Sequence, residues 1–121
     1  MMMTYDPENI FAKILRGDIP NDTVYESDHS LAFNDIAPQA PMHVLVIPKG
    51  AYVDHADFSA NASPEELTDF HRTVATVIQR SGAEAAGFRT ISNAGEHGMQ
   101  EVPHFHLHIL AGKVMGPLLA S

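Results

Sequence analysis

The chain has 121 residues, 45% hydrophobic and 18% charged, and we expect residues 1–121 to form a single domain with a core of ordinary size. It contains no cysteine, which excludes disulfides and thiolate metal sites, and its net charge of -8 argues against a nucleic-acid partner. No stretch approaches the ~20 apolar residues of a membrane span and the N-terminus lacks a secretory pattern, so we expect a cytoplasmic protein that does not act at membranes.

The N-terminal segment predicts a short helix. Asp6 is placed to cap this helix, Pro7 to open it and Gly17 to end it. An apolar face at helical spacing supports the prediction. Its members are Ile10, Phe11, Ile14 and Leu15. Such a helix either packs on the core or forms one wall of a ligand pocket, and the residues alone allow both.

Three strands are predicted in the first half of the chain. Residues 23–26 and 30–34 form a hairpin, since runs of strand-forming residues flank a short turn. Residues 43–49 form an apolar, β-branched strand that we expect to be buried on both faces or nearly so. His43 opens this strand. A histidine at the mouth of an apolar strand is expected to have a polar partner.

A longer helix is predicted after a segment without clear periodicity. Residues 51–62 predict a loop or short helical turns. Ser63, Pro64 and Glu66 then form a strong helix start with a capping box. Apolar residues recur at helical spacing from there until Gly82, where we expect the helix to end.

Near its C-terminus, the chain alternates histidine with apolar residues. A strand over residues 87–92 and a glycine-containing loop over residues 93–98 lead into this stretch. Residues 103–110 read Pro-His-Phe-His-Leu-His-Ile-Leu, which has the period of a half-buried strand. The apolar residues then face the core and hold the histidines on the opposite face. Those histidines are His104, His106 and His108.

Three imidazoles on one face allow three interpretations. They can be structural, as isolated histidines in strands usually are. They can bind zinc or iron, although no carboxylate follows at a convincing distance. They can also catalyse, because a neutral imidazole is a nucleophile near pH 7 and a protonated neighbour can hold an anion or give a proton to a leaving group. The shared face favours catalysis without metal or cofactor.

The order of elements favours one arrangement. Helix, hairpin, strand, long helix and two strands fit an antiparallel sheet with helices packed on it, in the α+β class. Four further histidines lie outside the alternating stretch and the buried strand. We assign no role to His29, His55, His71 and His97.

The order His-apolar-His-apolar-His-apolar-apolar in residues 104–110 resembles the histidine triad (HIT) motif. Residues 34–43, Asn-Asp-Ile-Ala-Pro-Gln-Ala-Pro-Met-His, resemble the other signature of the Hint-type branch, and residues 10–14, Ile-Phe-Ala-Lys-Ile, resemble its N-terminal segment. The likeness spans roughly residues 7–115. It implies a five-stranded antiparallel sheet with a short N-terminal helix and one longer helix, and a sheet that continues across a homodimer.

The resemblance also implies an activity, the hydrolysis of purine nucleoside 5'-phosphoramidates such as AMP or GMP joined to an amine. His106 would attack the α-phosphorus and form a nucleotidyl-histidine intermediate, which water then cleaves. His108 would donate to the phosphate or leaving group, and His43 and His104 would form the supporting hydrogen-bond chain. A branch that cleaves dinucleoside polyphosphates shares the triad and stays an alternative. A nucleotide-binding module and, less favoured, a histidine-ligated metalloenzyme also stay open.

A substrate-binding set follows from the same resemblance. Asp35 would bind the ribose hydroxyls, while Asn93, Gln100 and the backbone of Glu101 and Val102 would surround the phosphate and leaving group. The base pocket would be walled by Ile10, Phe11, Ile14, Ile19, Phe33 and Ile36. The chain departs from the animal proteins at Glu101, where they carry serine, and in its short C-terminal segment without tryptophan. A carboxylate near a phosphate repels it unless turned away.

Overall fold

The computed structural model describes residues 4–120. Its helices are α1 (Ile10–Leu15), α2 (His55–Asn61) and α3 (Pro64–Ser81), and its strands are β1 (Thr23–Glu26), β2 (Ser30–Asn34), β3 (Met42–Pro48), β4 (Phe88–Ile91) and β5 (Leu107–Ala111). The strands form one sheet in the order β1-β2-β3-β5-β4, and every neighbouring pair is antiparallel. The predicted α+β class and five-stranded antiparallel sheet are confirmed. Within residues 4–120, no helix has the length and apolar character to cross a membrane.

The longest helix, α3, begins as its sequence predicts. The Ser63 hydroxyl accepts the backbone N–H of Glu66, and the Glu66 carboxylate accepts the N–H of Ser63, which completes the capping box. Gly82 ends the helix in the left-handed conformation, at φ 75°. The expected bounds of this helix are therefore confirmed.

The two shorter helices differ from expectation. The prediction that Asp6 caps α1 was wrong, because the Asn9 side chain caps it and accepts the N–H of Ala12 at 2.9 Å. Asp6 instead accepts the N–H of Glu8 in a turn before the helix. The helix α2 occupies part of the segment for which only a loop or short helical turns were predicted, and the Asp54 side chain caps it.

Apolar clusters cover both faces of the sheet, and β3 contributes to each. Val44 and Val46 belong to the cluster beneath α3, whereas Leu45 and Ile47 belong to the cluster beneath α1. This division follows from the alternation of side chains along a strand. The prediction that this strand is buried on both faces is confirmed, since His43 through Pro48 are all buried.

The histidine stretch is a regular strand only in its second half. The strand β5 begins at Leu107, so the prediction of a strand from residue 103 was wrong at its start. The backbone N–H of Phe105 donates to the carbonyl of Tyr52, 2.7 Å away, rather than to a neighbouring strand. The alternation of faces nevertheless persists. Phe105 packs in the cluster beneath α3, and the ring of His106 lies against Phe11 of α1, with 4.9 Å between the ring centroids.

Candidate active site

A cavity of about 260 Å³ opens beside the histidine stretch. The register between β3 and β5 pairs His43 with Leu110 and Leu45 with His108, which places both imidazoles on one face of the sheet. The residues that line the cavity are Asp35, Ala37, Gln39, His43, Asn93, Met99, Gln100, Glu101, Val102, His106 and His108. Ala37, Gln39 and Met99 were not expected there from the sequence.

Other residues predicted for the site lie elsewhere. His104 and Phe33 are buried in the protein, and Phe11 lies behind His106. Ile19 is half-buried, and Ile14 lines a separate cavity of about 290 Å³. Two apolar members of the set are open to solvent, Ile10 at 43% and Ile36 at 95% exposure. The proposed base-binding residues thus do not line the cavity that holds the histidines.

The backbone orients the ring of His106. Its Nδ1 lies 2.7 Å from the carbonyl oxygen of His104, and because a carbonyl only accepts, Nδ1 carries the ring proton. The lone pair of the neutral ring is then on Nε2. Burial lowers the pKa of His106, against the opposing effects of the bond to His104 and the charges of Asp35 and Glu101. The neutral, nucleophilic form therefore prevails at neutral pH.

A second chain of hydrogen bonds fixes His43 and His108. The backbone N–H of Gln39 donates to Nδ1 of His43 at 3.1 Å, so the His43 proton is on Nε2. That Nε2–H donates to Nδ1 of His108 at 2.9 Å, with an oxygen of Asp35 3.4 Å away. The polar partner expected for His43 is thereby confirmed. His108 is left with its own proton on Nε2, as a donor for a ligand.

The pKa of His108 matches this assignment. Burial and, to a smaller extent, repulsion by His106 and His43 together lower the pKa of His108 to about 4, against the opposing charge of Asp35. His108 is therefore neutral at neutral pH in the ligand-free protein. An anionic ligand would oppose the effect of burial and favour a second proton on the ring, for which the His43 proton has to move to Nδ1 at the expense of the bond from Gln39.

His104 holds the stretch in place and offers no nitrogen to the cavity. Its ring is 0% exposed. Nε2 donates to the carbonyl of Pro48 at 2.8 Å, and Nδ1 accepts the hydroxyl of Tyr5 at 2.8 Å. Burial lowers the pKa of His104 to about 4. Tyr5 was missed by sequence reasoning, since it carries no motif and precedes His104 by 99 residues.

We expect Tyr5→Phe to lower the free energy of unfolding by about 1–3 kcal/mol, because the buried Nδ1 of His104 loses its donor. Urea denaturation measures the change. Tyr25→Phe is the matched control, since within residues 4–120 no hydrogen bond involves the Tyr25 hydroxyl. Equal stability of Tyr5→Phe and the control would contradict the assigned role.

Gln100 shapes the loop before the histidines and does not point a free amide at a ligand. Its side-chain N–H groups donate to the carbonyls of Val53, at 2.6 Å, and Val102, at 3.0 Å. Its side-chain oxygen accepts the N–H of Gly95 at 3.0 Å. The backbone thus occupies both ends of the amide, and Gln100 acts as a positioning residue for the cavity wall.

Comparison with known proteins identifies the family. The profile of the HIT domain matches residues 16–115. The chain belongs to the HIT family. A HIT-like protein of Azospirillum brasilense is 55% identical over 121 residues, covering 100% of this chain and 99% of that protein. The purine nucleoside phosphoramidase of Escherichia coli is 42% identical over 113 residues, covering 93% of this chain and 94% of that enzyme.

Solved structures of HIT proteins agree with this fold. A histidine triad protein from Clostridium difficile has a TM-score of 0.82 at 39% identity, covering 96% of this chain and 100% of that one. A HIT family hydrolase from Clostridium thermocellum has a TM-score of 0.83 at 35% identity, covering 93% and 97%. The family resemblance of the sequence is confirmed.

One trio in the described part of this HIT protein has the spacing of a metal site. The ligand atoms of Asp35, His43 and His108 lie within 4.8 Å of one another. A metal bound to Nε2 of His43 would need the lone pair of that nitrogen, so the ring proton would have to move from Nε2 to Nδ1. The N–H of Gln39 already points at Nδ1, so two hydrogens would face each other. In the ligand-free site, Nε2 of His43 is therefore protonated and engaged with His108, and it offers no lone pair to a metal.

The electrostatic character of the cavity in this HIT protein is acidic. Its lining contains the carboxylates of Asp35 and Glu101 and neither lysine nor arginine. His106 and His108, with their lowered pKa values, do not offset these charges at neutral pH. The cavity therefore suits a ligand with little negative charge better than a polyanion.

Proposed function

We propose that this HIT protein hydrolyses purine nucleoside 5'-phosphoramidates at the α-phosphorus through a nucleotidyl-histidine intermediate. The observation that carries the proposal is the state of His106, a neutral ring whose Nε2 lone pair is left free by the bond from Nδ1 to a carbonyl. The donor His108 lines the same cavity. The 42% identity to the Escherichia coli purine nucleoside phosphoramidase supports the substrate class.

The reaction proceeds in two displacements. Nε2 of His106 attacks phosphorus as the P–N bond breaks, and the departing nitrogen takes a proton from His108, on which the bound phosphate favours protonation. The hydrogen bond from His43 keeps His108 oriented. Water then attacks phosphorus, returns a proton to His108 and releases the nucleotide with His106 restored. Imidazole is the leaving group in this second step, which is the gain from covalent catalysis.

The nucleoside end of the substrate lies beside Asp35. A carboxylate only accepts hydrogen bonds and suits the two ribose hydroxyls. One oxygen of Asp35 already accepts the N–H of Ala37 at 2.8 Å, which holds the carboxylate in place. Ile36, next along the chain, is an almost fully exposed apolar side chain and offers a surface for the base. Apolar burial selects weakly between purines, so both adenine and guanine are accepted.

The acidic lining favours a phosphoramidate over a dinucleoside polyphosphate. A nucleoside phosphoramidate carries one negative charge, whereas a polyphosphate carries several, each of which would be repelled by Asp35 and Glu101. Neutralising such a chain usually requires lysine, arginine or a metal. The second substrate class is therefore the less favoured candidate.

Turnover of AMP phosphoramidate and of a diadenosine polyphosphate, each with and without a chelator, tests the proposed function. We expect the phosphoramidate to be cleaved at least about tenfold faster, a ratio that corresponds to about 1.4 kcal/mol of charge repulsion. Chelation is expected to leave the rate unchanged. Faster cleavage of the polyphosphate would favour the runner-up, and loss of activity that zinc restores would favour a metalloenzyme.

We also propose that the protein forms a homodimer through the edge of its sheet. The strand β4 is an edge strand, and two of its apolar residues, Phe88 and Ile91, are exposed. An exposed apolar edge invites antiparallel pairing with a second copy about a two-fold axis, which would extend the sheet. Sedimentation equilibrium is expected to give twice the mass of the chain. Replacing the exposed Phe88 of β4 by lysine should shift the equilibrium toward monomer, because a charged side chain opposes burial of this edge against a second copy.

A further inference from the structure

Glu101 carries a charge in the cavity that no residue of the described chain neutralises. Its side chain is exposed and lines the cavity. The ion pairs within residues 4–120 involve Arg16, His43 and Lys49 as cations, and none includes Glu101. Asp35, the other carboxylate of the wall, is instead engaged by a backbone N–H and by His43. Glu101 is thus the charge left available to a ligand.

This carboxylate lines the same cavity as His106 and His108. Its charge raises the pKa of His106 against the larger effect of burial, so the two groups interact across the cavity. If the nucleoside lies beside Asp35, the departing group faces the rest of the wall. That part of the wall comes from one loop, which contributes Asn93, Met99, Gln100 and Glu101.

Met99 lines the same cavity as Glu101 and adds an apolar side chain to its wall. Its backbone adopts φ 58°, in the left-handed region that long side chains rarely occupy, and its side chain is 81% exposed. The preceding Gly98 allows the tight turn, since a Cβ there would lie 2.5 Å from the carbonyl oxygen of Ala94. Backbone strain of this kind is tolerated where a site requires it. A flexible thioether at the rim suits an alkyl chain.

We propose that Met99 and Glu101 bind the leaving group, and that the preferred leaving amine has a short alkyl stem and a second, positively charged amino group, as in a diamine. The stem lies against the Met99 thioether and the distal ammonium pairs with the Glu101 carboxylate. This inference rests on the proposed phosphoramidate hydrolysis and specifies its substrate class. Anionic leaving groups such as amino-acid carboxylates are discriminated against by the same carboxylate.

Three AMP phosphoramidates that differ only at the end of the amine test this selectivity. They carry ethylenediamine, propylamine and β-alanine, whose distal groups are cationic, neutral and anionic. We expect kcat/KM to fall in that order, with the cationic substrate preferred over the neutral one by about five- to twentyfold, as for a single partly exposed ion pair. Raising the salt concentration should reduce the ratio, since the pair is open to solvent.

Variants at Glu101 separate its charge from other effects. Glu101→Gln is expected to bring the cationic-to-neutral ratio of kcat/KM close to one, and Glu101→Lys to reverse the order in favour of β-alanine. Glu96→Gln is the matched control, because it makes the same charge change in the same loop at an exposed residue that does not line the cavity. This control is expected to keep the ratio. Met99→Gly should lower kcat/KM for propylamine more than for the unsubstituted phosphoramidate, by several-fold.

The outcomes distinguish the inference from the proposed function. Equal rates on all three substrates, or an unchanged ratio in Glu101→Gln, would overturn the selectivity and leave phosphoramidate hydrolysis standing. Failure of the wild-type protein to cleave any of the three, or the unsubstituted compound, would overturn both. A ratio that falls equally in Glu101→Gln and Glu96→Gln would assign the effect to net charge rather than to this site.

Discussion

His106→Gly is expected to lower kcat/KM for an AMP phosphoramidate by at least about 10⁴-fold, since the variant lacks the nitrogen that would form the proposed covalent intermediate. In the wild-type protein, the hydrogen bond from Nδ1 of His106 leaves the lone pair on Nε2 free. The lone pairs of His104 and His108 each accept a hydrogen bond. A quenched reaction of the wild type should also yield a peptide containing His106 with nucleotide attached, detected by mass spectrometry. The variant should yield no such peptide.

Two controls accompany this substitution. His97→Gly replaces an exposed histidine in the loop before the stretch, outside the cavity lining, and should retain wild-type turnover. Thermal unfolding of His106→Gly shows whether the fold survives the loss of the ring that packs against Phe11. A folded His106→Gly protein with full activity would end the proposed mechanism.

Acid is expected to destabilise the protein as the pH falls from 6.5 to about 4. His104 binds a proton at about 6.5 in the unfolded chain, whereas burial lowers its pKa to about 4 in the folded protein. Between these values the unfolded state binds more protons, so the stability contribution is complete above 6.5 and is lost as the pH falls, by roughly 3 kcal/mol for His104. His106 and His108 act in the same direction, because burial lowers their pKa values as well.

Urea denaturation over this pH range measures the loss. His104→Gln should make the dependence on pH shallower because one of the three titrating groups is gone, whatever its effect on stability at neutral pH. His71→Gln, at an exposed position of α3, should leave the slope as it is in the wild type. A wild-type stability that stays constant down to pH 4 would contradict a neutral, buried His104.

The sequence predicted helices and strands correctly where a single local pattern, such as a capping box or an alternation of apolar residues, was present. The capping box of Ser63 and Glu66 fixed the start of α3, and alternation fixed the faces of β3. The start of α1 was mispredicted because Asp6 and Asn9 are both good caps and their local sequences do not rank them. Asn9 caps the helix in a buried position, with its amide also donating to the carbonyl of Asp6 at 2.7 Å.

The candidate site was predictable to the extent that its residues carry a pattern. The alternating histidines and the position of His43 indicated a shared face and a polar partner. Their tautomers depend on contacts that no pattern encodes, such as the hydroxyl of Tyr5 and the N–H of Gln39. The side-chain amide of Gln100 likewise donates to the carbonyl of Val53, 47 residues away in sequence. Residue spacing cannot indicate such a contact.

The pairing of β3 with β5 has a consequence for the order of assembly. His43 and His108 are separated by 65 residues, and β5 is the last strand of the chain to join the sheet in sequence. Hairpin β1-β2, β3 and α3 can associate through closer contacts, at a lower entropic cost of loop closure. Regain of enzymatic activity during refolding therefore reports the docking of the final strand, and should lag behind the recovery of helical circular dichroism.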